Sequence, residues 1–287
     1  MGAPIAANFL KHGHAVYVWN RTAGKAETLR ARGAQVVSTP GALRELDIDF
    51  AFINVSDSAA LKCVIEGADG LANVLRSGAT VIDNSSVSPE TAREVADLLA
   101  TRGIDFLDAP VTGGTTGAEA GKLTIMVGGP AEVLRRAEPL LRAFGTSIYH
   151  VGPVGSGQAC KLCHQVAAAN AMLGLCEGLA LAAKAKLPLQ TVLDVLGAGS
   201  VGSIIVRVQG AKMIAGDATP GFRVDLMKKD LDTAHAFADA LELPLPGSEL
   251  VAEMLASLSA KGQGGLGWQA LIREYENRGG FSLRMGV

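Results

Sequence analysis

The chain has 287 residues, 48% of them hydrophobic and 35 of them glycine, which suits one or two α/β domains with a sizeable core and excludes a disordered protein. A formal charge of −2 gives no general pull toward nucleic acid or an anionic membrane, so neither is an expected partner. No apolar run combines the length and freedom from charge of a convincing transmembrane helix, and no basic, cleavable leader is expected before the fold. In chain order, residues 3–12 read as a helix. Strands are expected at 15–19 (AVYVW), 34–37 (AQVV), 49–55 (DFAFINV), 79–83 (ATVID), 105–110 (DFLDAP), 123–129 (LTIMVGG) and 147–152 (SIYHVG). Helical segments separate most of them, which predicts a parallel, doubly wound sheet. From Gln158 to about Ala185 the chain is Ala-, Leu- and Cys-rich with few charges and reads as one long buried helix. Beyond it the sequence is helical, with turn punctuation at 197–202, 216–221, 244–247 and 262–267. The expected organisation is a dinucleotide-binding domain over 1–152 and an all-helical substrate and oligomerisation domain over 153–287, with the long helix as the spine.

The four cysteines are Cys63, Cys160, Cys163 and Cys176. Cys160 and Cys163 spell C-x-x-C, but inside a helix and outside any thioredoxin-like context, so they read as small core thiols with no metal site. Reduced, buried thiols point to the cytoplasm.

Two segments carry chemistry. In GPVGSGQACKLCHQ, Gly152 to Gln165, three glycines let the backbone turn tightly and approach a ligand, and Lys161 opens the apolar helix. A buried ammonium is costly without a task or partner, and a lysine there suits acid–base work; a lysine snorkelling from a helix end is the plain alternative. In DFLDAPVTGG, a strand breaks into Thr112, Gly113 and Gly114, whose hydroxyl and backbone N–H groups suit a carboxylate, although an ordinary strand-to-loop turn reads the same way.

Taken together these segments resemble the β-hydroxyacid dehydrogenase family, the group of 3-hydroxyisobutyrate dehydrogenase, tartronate semialdehyde reductase and the glyoxylate/succinic semialdehyde reductases. DAPVTGG matches the family's substrate motif D-x-P-V-S-G-G, with Thr112 for the usual serine. GSGQACK matches the catalytic motif G-x-G-x-x-x-K, and PGFRVDLMKKD matches F-x-x-x-L-x-x-K-D through Phe222, Leu226, Lys229 and Asp230. The resemblance implies a Rossmann-type domain followed by an all-helical one, hydride transfer between a nicotinamide and a small β-hydroxy acid or its semialdehyde, and Lys161 as general acid/base. It implies a substrate carboxylate held by Thr112, Gly113 and Gly114. It further implies Phe222 and Asp230 near the substrate, Lys229 near the cofactor, and Val55, Ser56 and Ser86 along the nicotinamide crevice. For Lys229 and Asp230 an ordinary helix-surface pair is the alternative.

His164 and Gln165 lie three and four residues beyond Lys161, on its helix face. The family commonly has asparagine there. Gln165 keeps an amide able to orient the substrate oxygen or the lysine. His164 resembles the K-x-x-H-N of 6-phosphogluconate dehydrogenase, where the histidine contacts substrate; a core histidine bonded to a carbonyl is the other reading.

Cofactor preference follows from Asn20-Arg21-Thr22 after the second family strand. No acid stands there to accept from the ribose 2′-OH, and the Arg21 fork suits a 2′-phosphate, which favours NADP while leaving NAD possible; a solvent-facing arginine is the alternative. Met1-Gly2 matches the end of the family's G-x-G-x-x-G, with Gly2 as the third, helix-packing glycine. The first strand and first two glycines are not in the sequence, so the expectation is a protein with about ten further residues, one short strand plus a turn. A shortened chain with weakened or lost cofactor binding is the alternative. The competing functions are therefore the hydroxyacid oxidoreductase, an imine reductase, which usually has an acid or tyrosine in place of Lys161, and a non-catalytic dinucleotide-binding scaffold. Apolar helices such as 187–196 and 250–258 lead us to expect a homo-oligomer, although a monomer's own core would read the same way.

Overall fold

The computed structural model describes residues 1–283. The chain forms two compact units, Met1–Lys161 and a second beginning at Leu162. The first unit holds strands β1 (Tyr17–Val18), β2 (Gln35–Val36), β3 (Phe50–Ile53), β4 (Thr80–Asp83), β5 (Asp105–Asp108), β6 (Val111–Thr112), β7 (Leu123–Gly128) and β8 (Gly145–Gly152). Its helices are α1 (Gly2–Lys11), α2 (Glu27–Arg30), α3 (Ser58–Glu66), α4 (Leu71–Val74), α5 (Pro89–Ala100), α6 (Gly114–Glu119) and α7 (Ala131–Leu141). Helix α8 (Ser156–Lys184) begins in the first unit and continues into the second. There follow α9 (Leu189–Ala198), α10 (Gly210–Ala215), α11 (Val224–Asp239), α12 (Pro246–Leu258) and α13 (Ile272–Gly279).

Strands β3, β4 and β5 pair in parallel, in register Phe50↔Thr80 and Thr80↔Asp105. Their side chains alternate between two faces, as the period of a strand requires. Val81 and Phe106 enter one core with Leu61, Val95 and Leu99 from α3 and α5, while Ile82 and Leu107 enter another with Ile5, Phe9 and Leu141 from α1 and α7. Burial on both faces is the reason that these strands read as apolar runs. Ser88 caps α5 by accepting from the Thr91 N–H at 3.1 Å, and Pro89 opens the helix where no N–H is needed.

The expected all-parallel sheet is corrected to a mixed one. β7 runs antiparallel to β5 and β6 and parallel to β8. The link from Asp108 to Leu123 is spent on a two-residue strand and a six-residue helix, too little for a full crossover helix, and antiparallel pairing needs none. β1 and β2 form a separate two-stranded parallel sheet, packed on α1 through Ala7, Leu29 and Ala34.

The second unit is built of helices around one core in which Ala169, Met172, Cys176 and Leu179 of α8 meet Leu193, Val224, Leu231, Leu255 and Leu271. The i, i+3, i+4 spacing of the α8 residues accounts for one buried stripe. The helix is therefore not buried all round. Cys163 is exposed, Cys160 half-buried and only Cys176 of its thiols fully enclosed, while Leu181 is 72% exposed. A helix with small residues on both faces shows little amphipathic contrast, so the sequence pattern does not reveal its wet side. By length and composition alone α8 is apolar enough to cross a membrane, contrary to the sequence expectation; its inward stripe is the central core helix of this unit.

Candidate active site

The carboxyl ends of β3, β4 and β5, where open α/β sheets bind ligands, are tied together by polar contacts. Beyond β3, the half-buried Val55 donates its N–H to Ser85 Oγ at 2.9 Å, and the exposed Ser56 donates to Asp57 Oδ2 at 2.6 Å. Asp57 caps α3 by accepting from the Ala60 N–H. Beyond β4, the Ser85 N–H donates to Asp83 Oδ1 at 3.0 Å, Asn84 Nδ2 donates to the Ala109 carbonyl at 2.7 Å, and Ser86 is half-buried. The Oδ1 atoms of Asn54 and Asn84, at neighbouring strand ends, are buried and have no hydrogen-bond partner among the described residues. Two uncompensated acceptors in this crevice fit a ligand that carries hydroxyl or amide donors, as a nicotinamide nucleotide does.

The start of α8 is clamped onto β5 by Asp108. Its Oδ1 accepts from the Gly155 N–H and its Oδ2 from the Gln158 N–H, both at 2.8 Å. Burial pushes this carboxyl up to about 6, against the pull of those backbone donors. The approach is possible only because Gly157 lacks a side chain. A Cβ there would lie 2.5 Å from the Asp108 carbonyl oxygen and 2.6 Å from that of Met126. Lys161, 7% exposed, follows on the next turn of the helix. The sequence reading of a buried lysine behind a glycine loop therefore matches its burial in the structure. β6 pairs Thr112 with Thr124 and delivers the chain to Gly113 and Gly114, which open α6 with φ of 128° and 65°. Both glycines are exposed and Thr112 is half-buried.

In the second unit, α8 and α11 carry a linear polar network. Gln165 donates through Nε2 to Asp230 Oδ2 at 2.7 Å, and Asp230 Oδ1 pairs with Lys229 Nζ at 2.9 Å. His164 Nδ1 lies 2.9 Å from Gln165 Oε1. Gln165 and Asp230 are buried, so the Asp230 carboxylate is not on the surface of α11, and His164 Nδ1 faces the Gln165 side chain. Phe222 packs against the unit's apolar core, and its carbonyl accepts from the Trp268 N–H.

Gly2 starts α1, and a Cβ on it would lie 3.3 Å from Asn54 Cβ, beside one of the uncompensated acceptors. Asn20, Arg21 and Thr22 are exposed beyond β1, with Asn20 Nδ2 bonded to the Thr22 carbonyl at 2.9 Å. These three follow the first strand of the two-stranded sheet. Sequence reasoning quoted Asp108 and Gln158 inside motifs but gave neither a role. A carboxylate at a strand end, followed by a glycine-rich helix start, was the available signal. Among the described residues no three His, Cys, Asp or Glu side chains are grouped to hold a metal ion.

Residues 1–152 match the family model of the NAD binding domain of 6-phosphogluconate dehydrogenase, and residues 155–275 the model described as NAD-binding of NADP-dependent 3-hydroxyisobutyrate dehydrogenase. The chain is 34% identical to 2-(hydroxymethyl)glutarate dehydrogenase of Eubacterium barkeri, over 100% of this chain and 95% of that one. It is 36% identical to 2-hydroxy-3-oxopropionate reductase of Escherichia coli K12, over 96% of this chain and 94% of that one. Among solved structures, 3-hydroxyisobutyrate dehydrogenase from Salmonella typhimurium superposes with a TM-score of 0.85 at 30% identity, covering 95% of each chain. An imine reductase from Pseudomonas sp., with TM-score 0.65, 18% identity and 95% coverage of each chain, shares the fold alone.

Proposed function

Because the chain belongs to the β-hydroxyacid dehydrogenase family, nicotinamide-dependent oxidoreductases of small hydroxy acids, we propose that it interconverts a small carboxylate-bearing β-hydroxy acid and its semialdehyde or 2-oxo acid, with NADP as the preferred cofactor and Lys161 as general acid and base. The observation that carries this reading is the burial of Lys161 on the helix turn that Asp108 and Gly157 hold against the sheet. The bound nicotinamide supplies or accepts the hydride. In reduction, Lys161 Nζ gives a proton to the substrate oxygen and its charge stabilises the developing alkoxide; in oxidation it takes the proton back. The Thr112 hydroxyl and the N–H groups of Gly113 and Gly114 hold the substrate carboxylate. Gln165, His164, Asp230 and Phe222 serve the substrate. Val55, Ser56, Ser86 and Lys229 serve the cofactor, and Gly2 opens the helix whose N-terminus would hold its phosphates.

NADP preference is supported by the exposed Arg21 fork, by the absence of an acid in Asn20-Arg21-Thr22, and by the NADP-dependent family model matched by the second half of the chain. The exposed apolar side chains of Leu181, Val195 and Ile204 support a homo-oligomer, and four free thiols, two of them exposed, suit a reducing cytoplasm. The test is NADPH and NADH oxidation by the purified protein with glyoxylate, succinic semialdehyde, tartronate semialdehyde and methylmalonate semialdehyde. Turnover of at least one, faster with NADPH, is expected. No oxidation with any of the four, together with no NADPH binding, would overturn the reading.

A further inference from the structure

Gln158 is an uncharged side chain with no place in hydride or proton transfer, yet it is fully buried and both ends of its amide are used across long sequence separations. Its Oε1 accepts from the Val87 N–H at 3.2 Å and its Nε2 donates to the Ser85 carbonyl at 2.9 Å. Ser85 in turn holds the end of β3, because its Oγ accepts from the Val55 N–H at 2.9 Å. The backbone N–H of Gln158 is the group that Asp108 Oδ2 binds, so the residue is fixed to β5 at one end and to the segment after β4 at the other. Lys161 lies three residues further along the same helix, which places it about one turn from Gln158.

We infer that Gln158 is a positioning residue: one buried amide sets the crevice segments at Val55 and Ser85–Val87 in register with the helix turn that carries Lys161. This rests on the reading of Lys161 as the acid–base group and of the strand ends as the cofactor crevice. The physical case is that both crevice segments are loops, and loops hold a geometry only where something over-determines it. The Ser85 carbonyl and Val87 N–H lie two residues apart on one loop and receive the donor and the acceptor of a single planar amide. A shift of either loop or helix therefore breaks both bonds together. Reacting groups misplaced by about 1 Å lose on the order of 100-fold in rate, so a lock of this kind acts on turnover as well as on stability.

Gln158→Met keeps the volume and removes both bonds. Per folded molecule, kcat is expected to fall about 10-fold or more, and the NADPH dissociation constant measured by fluorescence to rise several-fold. In a Lys161→Met background the same substitution should lower the residual turnover no further, while its effect on NADPH affinity persists. A purely structural glutamine would lower the melting temperature and leave kcat per folded molecule and NADPH affinity within twofold of the parent, and that result overturns the proposal. A kcat loss that multiplies with that of Lys161→Met overturns the part that acts through the lysine. If Gln158→Met does not fold, Ser85→Ala tests the same lock by freeing the Val55 N–H: weakened NADPH binding supports it, and unchanged binding overturns it. Lys161→Met with parental turnover would sink the acid–base reading alone, because the Gln158 effect on NADPH affinity is read without turnover.

Discussion

The side-chain amide nitrogen of Gln165 lies 2.7 Å from Asp230 Oδ2, and this contact sets the direction of a chain of polar groups that runs from Lys229 to His164. A carboxylate only accepts, so Gln165 must turn its Nε2 toward Asp230 and its Oε1 toward His164. His164 Nδ1, 2.9 Å from that oxygen, then carries the proton. In the neutral ring Nε2 is then the acceptor nitrogen.

Asp230→Ala removes the anchor of this chain. The buried Gln165 amide loses its charged acceptor, which is expected to cost about 1–3 kcal/mol of stability. Lys229 keeps partial solvent access and can rehydrate. Urea unfolding of parent and variant checks it. A difference below about 0.5 kcal/mol, the range of an ordinary surface change, would show that the network adds nothing to stability.

The three motifs, the strands β4, β5 and β7 and the long helix were legible because their signals are local: continuous apolar runs, a glycine cluster, a lysine beside it. Strand direction was not. β6 is two residues long and shows no periodicity, and its antiparallel return depends on which partner Val111 and Thr112 meet 12–14 residues later. The exposed side of α8 was equally hidden, since Ala, Cys and Leu occupy both faces. Lys161 could be found from its neighbours in sequence. The roles of Asp108 and Gln158 could not, because their partners lie 47 to 73 residues away and exist only once the helix start is laid on the sheet.

Lys161→Met should lower turnover by roughly 10²–10⁴-fold, the usual loss when a general acid is removed, and leave NADPH affinity close to the parent's. The methionine keeps most of the stem volume at this 7%-exposed position. Steady-state kinetics with a cofactor titration check it. Turnover within a few-fold of the parent would take Lys161 out of the chemistry.

Arg21→Asp should move the ratio of kcat/KM for NADPH over NADH toward NADH. The exposed guanidinium is replaced by a group that repels a 2′-phosphate and accepts from a ribose hydroxyl. Arg21 is exposed, and the side-chain hydrogen bond within Asn20–Thr22 is made by Asn20. An unmoved ratio would make Arg21 a bystander in cofactor choice.

Gly157→Ala should be among the most damaging single-methyl additions in the first unit. The new Cβ would sit 2.5 Å and 2.6 Å from the carbonyl oxygens of Asp108 and Met126, both on sheet backbone that cannot step aside like a flexible side chain. Overpacking of this kind costs about 1–3 kcal/mol or more, and here it also pushes the Lys161 turn off β5. Thermal melts and turnover per folded molecule check both effects. Gly174→Ala, on the same helix with open space around its Cβ, is the control expected to change little.

Asp108 gives stability a pH dependence opposite to that of an ordinary paired carboxylate. Its pKa in the fold is raised by burial from 3.8 to about 6. Between those values the unfolded chain has released the proton while the native protein holds it, so the unfolded state binds fewer protons and unfolding becomes easier as pH rises. The gap corresponds to roughly 3 kcal/mol, fully expressed above pH 6 and gone below about pH 4. Asp108→Asn lacks the titration and also turns an NH2 group against one of the two N–H donors from Gly155 and Gln158. Urea unfolding of both proteins at several pH values from 4 to 7 isolates the effect. The stability of the parent minus that of the variant should shrink steadily as pH rises across this window. A difference that grows with pH would mean that the two backbone donors hold the carboxylate ionised, with its pKa below the unfolded value, and that burial does not control this group.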